Sequence, residues 1–152
     1  MPIPRLLALA AVFLGICWLL WRMLAPAAIQ VNRTIAALER SIETENYWKC
    51  ISLFSKDFEV LGQGYGYPDV KQGFYYAFRE YDGFQLDLNV QDMRFHSEGV
   101  AVQGSFAIRC HRSGSPDRIE RLDGVLEIGL NRGLLGYKVT SASVDEELIR
   151  HF

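Results

Sequence analysis

Basic residues are in short supply here. The 152 residues carry 16 Lys+Arg against 18 Asp+Glu, a formal net charge of −2. A protein that grips nucleic acid through its phosphates needs a cationic excess to release counterions, so nucleic acid is excluded as a partner. Cysteine and histidine are sparse too, with three of each. Cys17, Cys50, Cys110, His96, His111 and His151 recur at no spacing that converges on a metal, so no metal site is expected. No serine lies in a nucleophile-elbow motif and no His–acid pair stands out, which leaves nucleophilic catalysis without a handle. Internal repeats and low-complexity stretches are absent. The composition, 49% hydrophobic and 22% charged, is that of a globular chain.

Charge is also missing from one stretch. Between Leu6 and Trp21 there is none, and across Arg22 the apolar run reaches Leu24. At ~1.5 Å per residue that run is about 28 Å long, against a hydrocarbon core of ~30 Å. Trp18 and Trp21 sit where an aromatic belt would lie, and Arg22 can snorkel to the headgroups. Two readings compete with a retained anchor. Ala25-Pro26-Ala27 offers small residues for a signal peptidase, and Leu14-Gly15-Ile16-Cys17 offers a lipoprotein signal. The run is longer than a usual signal core and ends in two tryptophans, and Ile16 is too large to precede a lipidated cysteine. The expected division is a transmembrane anchor over 1–25 and one soluble domain over 26–152. Arg5 favours a cytoplasmic amino terminus, while Arg22 and Arg33 nearly balance the count. A short head before a long tail favours export, placing the protein in the inner membrane with its domain on the periplasmic side. The lipid bilayer is then the first partner. Cys17 would be inert within it, and Ala11 and Gly15 form a small-xxx-small pair of a kind common by chance.

Past Pro26, Val31, Ile35, Leu38 and Ile42 recur with helical spacing, and Arg33, Glu39, Arg40 and Glu43 fall between them as a solvated face. Glu45-Asn46 interrupts. Tyr47, Trp48, Ile51 and Phe54 define a second short helix ending at Asp57. Phe58, Val60 and Leu61 read as a short strand, and Gly62, Gly64 and Gly66 as a flexible turn without the added residues of a phosphate loop. Asp69 is the expected N-cap of a third helix, with Val70, Phe74, Ala77, Phe78 and Tyr81 on one side and Asp82-Gly83 at its end. The period then changes to two. Phe84–Val90, Val100–Cys110, Leu122–Ile128 and Leu135–Val139 alternate as strands. The breaks fall at His96–Gly99, Ser113–Asp117 and Asn131-Arg132-Gly133. Four successive strands make an antiparallel sheet with one packed face. Asp145 to Phe152 is a short helix or a frayed tail. Asn32-Arg33-Thr34 is a formal glycosylation acceptor, close to the membrane.

In element order this resembles the nuclear transport factor 2-like superfamily. The segments that carry the likeness are IAALERSIETENYWKCISLFSKDFEV and GVLEIGLNRGLLGYKVTSASV, and it covers residues from about 29 to 144. The resemblance implies an α+β cone, three helices packed on a curved antiparallel sheet, with a pocket between them. Some such cones are enzymes, the ketosteroid isomerases and scytalone dehydratases among them, with acid or base groups on the strand face that looks inward. By alternation that face is Leu86, Leu88, Val102, Phe106, Ile108, Leu126 and Val139, joined by Phe74 and Phe78 as pocket lining. It carries no carboxylate or histidine. Asp87, Arg109 and His111 count outward; a bulge, for which Gly104 is the natural place, would turn Asp87 or His111 inward as catalytic candidates. Asp92 and His96 are weaker candidates. Tyr65, Tyr67, Tyr75 and Tyr76 suit packing or partner contacts. Cys50 and Cys110 are placed either to form a disulfide in an oxidising compartment or to be buried separately.

The leading functional expectation is therefore a non-catalytic accessory or scaffold subunit of a membrane complex, with a protein partner in the membrane or self-association and no cofactor. Some anchored members of the superfamily, such as a core subunit of type IV secretion machines, resemble this layout. The alternative is a small-molecule binder or isomerase/lyase-type enzyme using the cone pocket.

Overall fold

The computed structural model describes residues 11–20 and 25–144. Residues 11–20 are helical. Among the described residues no helix is long and apolar enough to cross a membrane. Leu6, Trp21, Arg22 and Leu24 of the expected span lie outside them, as does the segment from Asp145 to Phe152.

Helix α1 (Ala27–Glu43) buries Val31, Ile35 and Ile42, the apolar positions of its helical repeat. It stops where Glu45 takes a left-handed conformation, φ 53°, and the Asn46 N–H returns to the Ser41 carbonyl at 2.8 Å. Asn46 then starts α2 (Tyr47–Ser52), its side chain accepting from the Lys49 N–H at 3.0 Å. The second helix is shorter than its apolar spacing implied: Phe54 opens strand β1 (Phe54–Val60). A glycine turn leads to the two-residue strand β2 (Tyr65–Gly66). Helix α3 (Tyr67–Glu80) begins two residues before Asp69. Asp69 is thus not its N-cap; it lies one turn inside, and its carboxylate reaches back to the Gly66 N–H at 2.7 Å.

Four long strands follow, β3 (Tyr81–Phe95), β4 (Gly99–Arg112), β5 (Ser115–Gly133) and β6 (Gly136–Val144). They form one sheet with the first two, in the order β2-β1-β6-β5-β4-β3. The sheet is mixed rather than wholly antiparallel, because β1 runs parallel to β6. Its last turn also differs from expectation. Gly133 pairs with Gly136, so the hairpin turns on Leu134-Leu135, beyond the polar Asn131-Arg132-Gly133.

The helices cover one face of the curved sheet and share two apolar clusters with it. In the larger, Val31 and Ile35 meet Phe58, Val100, Val102, Leu130 and Val139. In the smaller, Ile42, Cys50 and Phe84 are packed round by Phe74, Phe78, Leu86 and Ile108. Curvature shows as breaks in register. One falls between Val90 and Asp92 opposite Gly104, another between Gly129 and Leu130. A Cβ at 104 would meet the Asn89 carbonyl oxygen, so the bulge demands glycine there.

The acidic residues of α1 do not form a merely solvated face. Strand β3 ends the sheet, and an edge strand leaves backbone N–H groups unpaired. Glu39 Oε1 accepts from the Leu88 N–H at 2.9 Å, Glu43 Oε1 from Leu86 at 3.4 Å, and Glu45 Oε1 from Gly83 at 2.9 Å. The helix thereby seals part of that edge with charge-assisted bonds. Glu39→Ala should lower stability by about 1–2 kcal/mol in urea unfolding, the range for a partly exposed hydrogen bond to a charged group, and Glu39→Gln by less. Gly104→Ala should cost about 1–3 kcal/mol by the same measurement, because the extra carbon forces the bulge open.

Candidate functional site

Catalysis would need a reactive group facing the interior, and the register decides that. Leu86, Ile108 and Leu122 lie opposite one another, as do Leu88, Phe106 and Gly124, and Val90, Gly104 and Leu126. These rows face the helices. Leu88, Val102 and Val139 belong to or pack on the larger cluster, and Phe74, Phe78, Leu86 and Ile108 on the smaller. Phe106 and Leu126 are half-buried in the same rows. Aromatic contacts tighten the helix side: Phe74 lies 5.8 Å from Phe54 and 5.7 Å from Phe78, which is 5.4 Å from Phe84.

The outward residues stay outward. Asp87 is exposed in a row with Ala107 and Asp123. The bulge at Gly104 comes after it along β3 and brings Met93 into register with Val102, so it leaves Asp87 on the outer face. Asp87, Asn89, Ser105 and Asp123 border an open groove there of about 430 Å³. His111 pairs with Asp82 and Ile119, and its ring covers Gly83, whose φ of 65° and lack of a side chain admit it. Asp92 is an exposed ion-pair partner of Arg94 at 2.9 Å, and His96 is exposed in the β3–β4 turn. Among the described residues no group of three or more His, Cys, Asp or Glu is placed to hold a metal ion.

Of the two arrangements the sequence left open for Cys50 and Cys110, the structure has the separate one: both thiols are free. The Cys50 S–H is directed back at α1, donating to the Ser41 hydroxyl at 3.2 Å, which donates in turn to the Leu38 carbonyl at 2.9 Å. Burial pushes the Cys50 thiol above its ordinary pKa; burial and then the Glu120 carboxylate do the same for Cys110. At the glycosylation sequence, the Thr34 hydroxyl is buried between the Gln30 and Tyr137 carbonyls, at 3.2 and 3.3 Å.

A cavity of about 750 Å³ lies away from the expected pocket, where the amino-terminal ends of α1 and β6 meet. Leu19, Gln30, Arg33, Thr34, Lys49, Leu53 and the β5–β6 turn border it, and none of the nine inward residues named from the sequence does. Among the described residues its charged lining is Arg33, Lys49 and Arg132, all cationic. Sequence reasoning missed it because a turn was placed on polar Asn131–Gly133 instead of on two leucines. A second feature lies on the helices. Trp48, 75% exposed, stands edge-on to Tyr47, and Tyr47 to Tyr75, which meets Tyr76. The four rings form an aromatic ridge across α2 and α3.

Comparison with known proteins leaves only the fold to speak. No family model matches the chain, and no curated protein does. Solved structures do. A nuclear transport factor 2-like superfamily protein from Salmonella enterica is similar at a TM-score of 0.64 and 12% identity, over 76% of this chain and 87% of that one. A ketosteroid isomerase-like protein from Erwinia carotovora is similar at 0.60 and 10%, over 74% and 90%. A nuclear transport factor 2-like protein of unknown function from Shewanella oneidensis is similar at 0.60 and 9%, over 77% and 97%. The domain thus has the nuclear transport factor 2-like fold expected from its element order. Alkylation at pH 8 should leave Cys50 unmodified until the protein is denatured and modify Cys110 slowly, since burial raises the pKa of both; intact mass after denaturing alkylation should show three unpaired thiols, Cys17 with these two.

Proposed function

We propose that this protein is a membrane-anchored accessory or scaffold subunit, non-catalytic, whose domain works against a neighbouring protein of the same membrane. The observation that supports it is the uncharged helical stretch over 11–20, where Val12, Phe13, Leu14, Ile16 and Leu20 are half or more exposed. Side chains of that kind in such density are stable in lipid or against a partner, not in water. On this reading Leu6–Leu24 is one transmembrane helix, Trp18, Trp21 and Arg22 mark the interface, and Pro26 ends the span. The domain then follows almost at the headgroups, on the extracytoplasmic side of the inner membrane. The interior of the cone is occupied by aliphatic and aromatic side chains in mutual contact, which suits a scaffold better than a reaction chamber. The aromatic ridge supplies the partner face: exposed Trp and Tyr are the side chains that most often dominate interface energies.

Membrane-extracted protein should keep its amino-terminal segment by intact mass. In mild detergent it should cross-link to a partner or to itself, and Trp48→Ala with Tyr75→Ala should weaken that association about tenfold or more. A mature chain beginning near Ala28, or a strictly monomeric species with nothing bound, would overturn the reading.

A further inference from the structure

We propose that the cavity beside the β5–β6 turn is a binding site for the phosphate headgroup of an anionic phospholipid, with Leu134 and Leu135 seated in the acyl layer as a second membrane contact. Leu134 is 90% exposed and Leu135 76%. A two-residue hairpin turn is ordinarily built from Asn, Asp or Gly, which suit its backbone and face water. Two bare leucines at such a tip lose contact with nothing in the domain, and gain only where an apolar phase meets them.

Three features identify that phase as lipid. Leu19, from the uncharged helical stretch, borders the same cavity as Leu134 and Leu135, so the tip lies on the side from which the proposed anchor arrives. Among the described residues the charges facing the cavity are Arg33 of α1, Lys49 of α2 and Arg132 beside the tip. Glu98 belongs to the β3–β4 turn, one strand further along the sheet and outside the cavity. Leucines at the tip with guanidinium and ammonium groups behind them match the order of acyl chain and phosphate in a leaflet. The backbone is also braced for it: the Thr34 hydroxyl bonds the Tyr137 carbonyl, and the Val139 N–H bonds the Leu53 carbonyl at 2.9 Å, tying α1 and α2 to the strand that leaves the tip.

The inference rests on the anchored reading, and the test separates the two. The full chain, with Cys17→Ser and Cys110→Ser, carries an environment-sensitive fluorophore on Leu134→Cys or, as a control at the far end of β4, on Ser113→Cys. It is reconstituted into lipid nanodiscs of either phosphatidylcholine or a phosphatidylcholine–phosphatidylglycerol mixture. The expected result is blue-shifted emission at 134, quenched by a nitroxide at shallow acyl depth, with neither effect at 113. Both effects should be at least twofold larger in the anionic discs, and Arg33→Gln with Lys49→Gln should abolish that difference. If labelling perturbs the fold, hydrogen exchange on the unmodified chain reads the same contact as slower exchange over 132–137 in anionic discs than in neutral ones. A chain that stays with the discs while position 134 matches 113 overturns the inference and leaves the anchor standing. Equal effects in both lipids overturn the headgroup site. A chain that does not stay with the discs overturns the anchor and this site together.

Discussion

Helix α1 is held by opposite parts of the sheet at once, and the shape of the domain follows from that. Its Glu39 and Glu43 carboxylates, and that of Glu45 just past its end, bond the backbone of β3 at the sheet's edge, while its Thr34 bonds β6 near the middle. A flat sheet could not offer both strands to one helix. The sheet therefore bends, and the bend is taken up at Gly104 and Gly129, where register breaks and a side chain would strike the neighbouring strand. Val31 and Ile35 then fill the inside of the curve. The edge bonds and the packing act together: the apolar contacts draw the helix onto the sheet, and the three carboxylates set its position along the edge.

Apolar side chains in mutual contact line the inside of this curve. The hollow opens at the end, where α1 and α2 part from the β5–β6 hairpin. Several described carboxylates have other work. They serve backbone N–H groups along β3, an arginine at Asp92 and a helix start at Asp69. Position in the fold, more than abundance, sets what an acidic side chain can do.

Most of the architecture was legible from periodicity. The three helices and the strands from Phe84 onward follow from apolar residues at spacings of 3.6 and 2, signals that burial itself writes into a chain. What was not legible depends on contacts between distant segments. The parallel pairing of β1 with β6 leaves no local pattern. Neither does the role of Glu39, Glu43 and Glu45, since a carboxylate on a helix looks the same whether it faces water or a strand edge. The turn at Leu134-Leu135 was missed because its residues lack turn chemistry, and the cavity was missed with it. The apolar inward rows were readable; the bulge at Gly104 lies where the sequence offered it, but beyond Asp87 along the strand. Cys50 shows the limit most plainly, because its direction toward Ser41 is a matter of one rotamer.

The pairing of β1 with β6 also bears on how the domain comes into being. Strand β1 ends at Val60 and its partner begins at Gly136, so the sheet cannot close until nearly all of the domain is on hand. Closure of that kind carries a large loop-entropy cost and folds slowly. Until β6 arrives, the Leu53 carbonyl that accepts from the Val139 N–H, and the Leu61 N–H that donates to the Ala142 carbonyl, lack these partners, and β1 and β5 each show a bare edge. The sheet is therefore completed by the last strand to be made, and the amino-terminal strand waits for it.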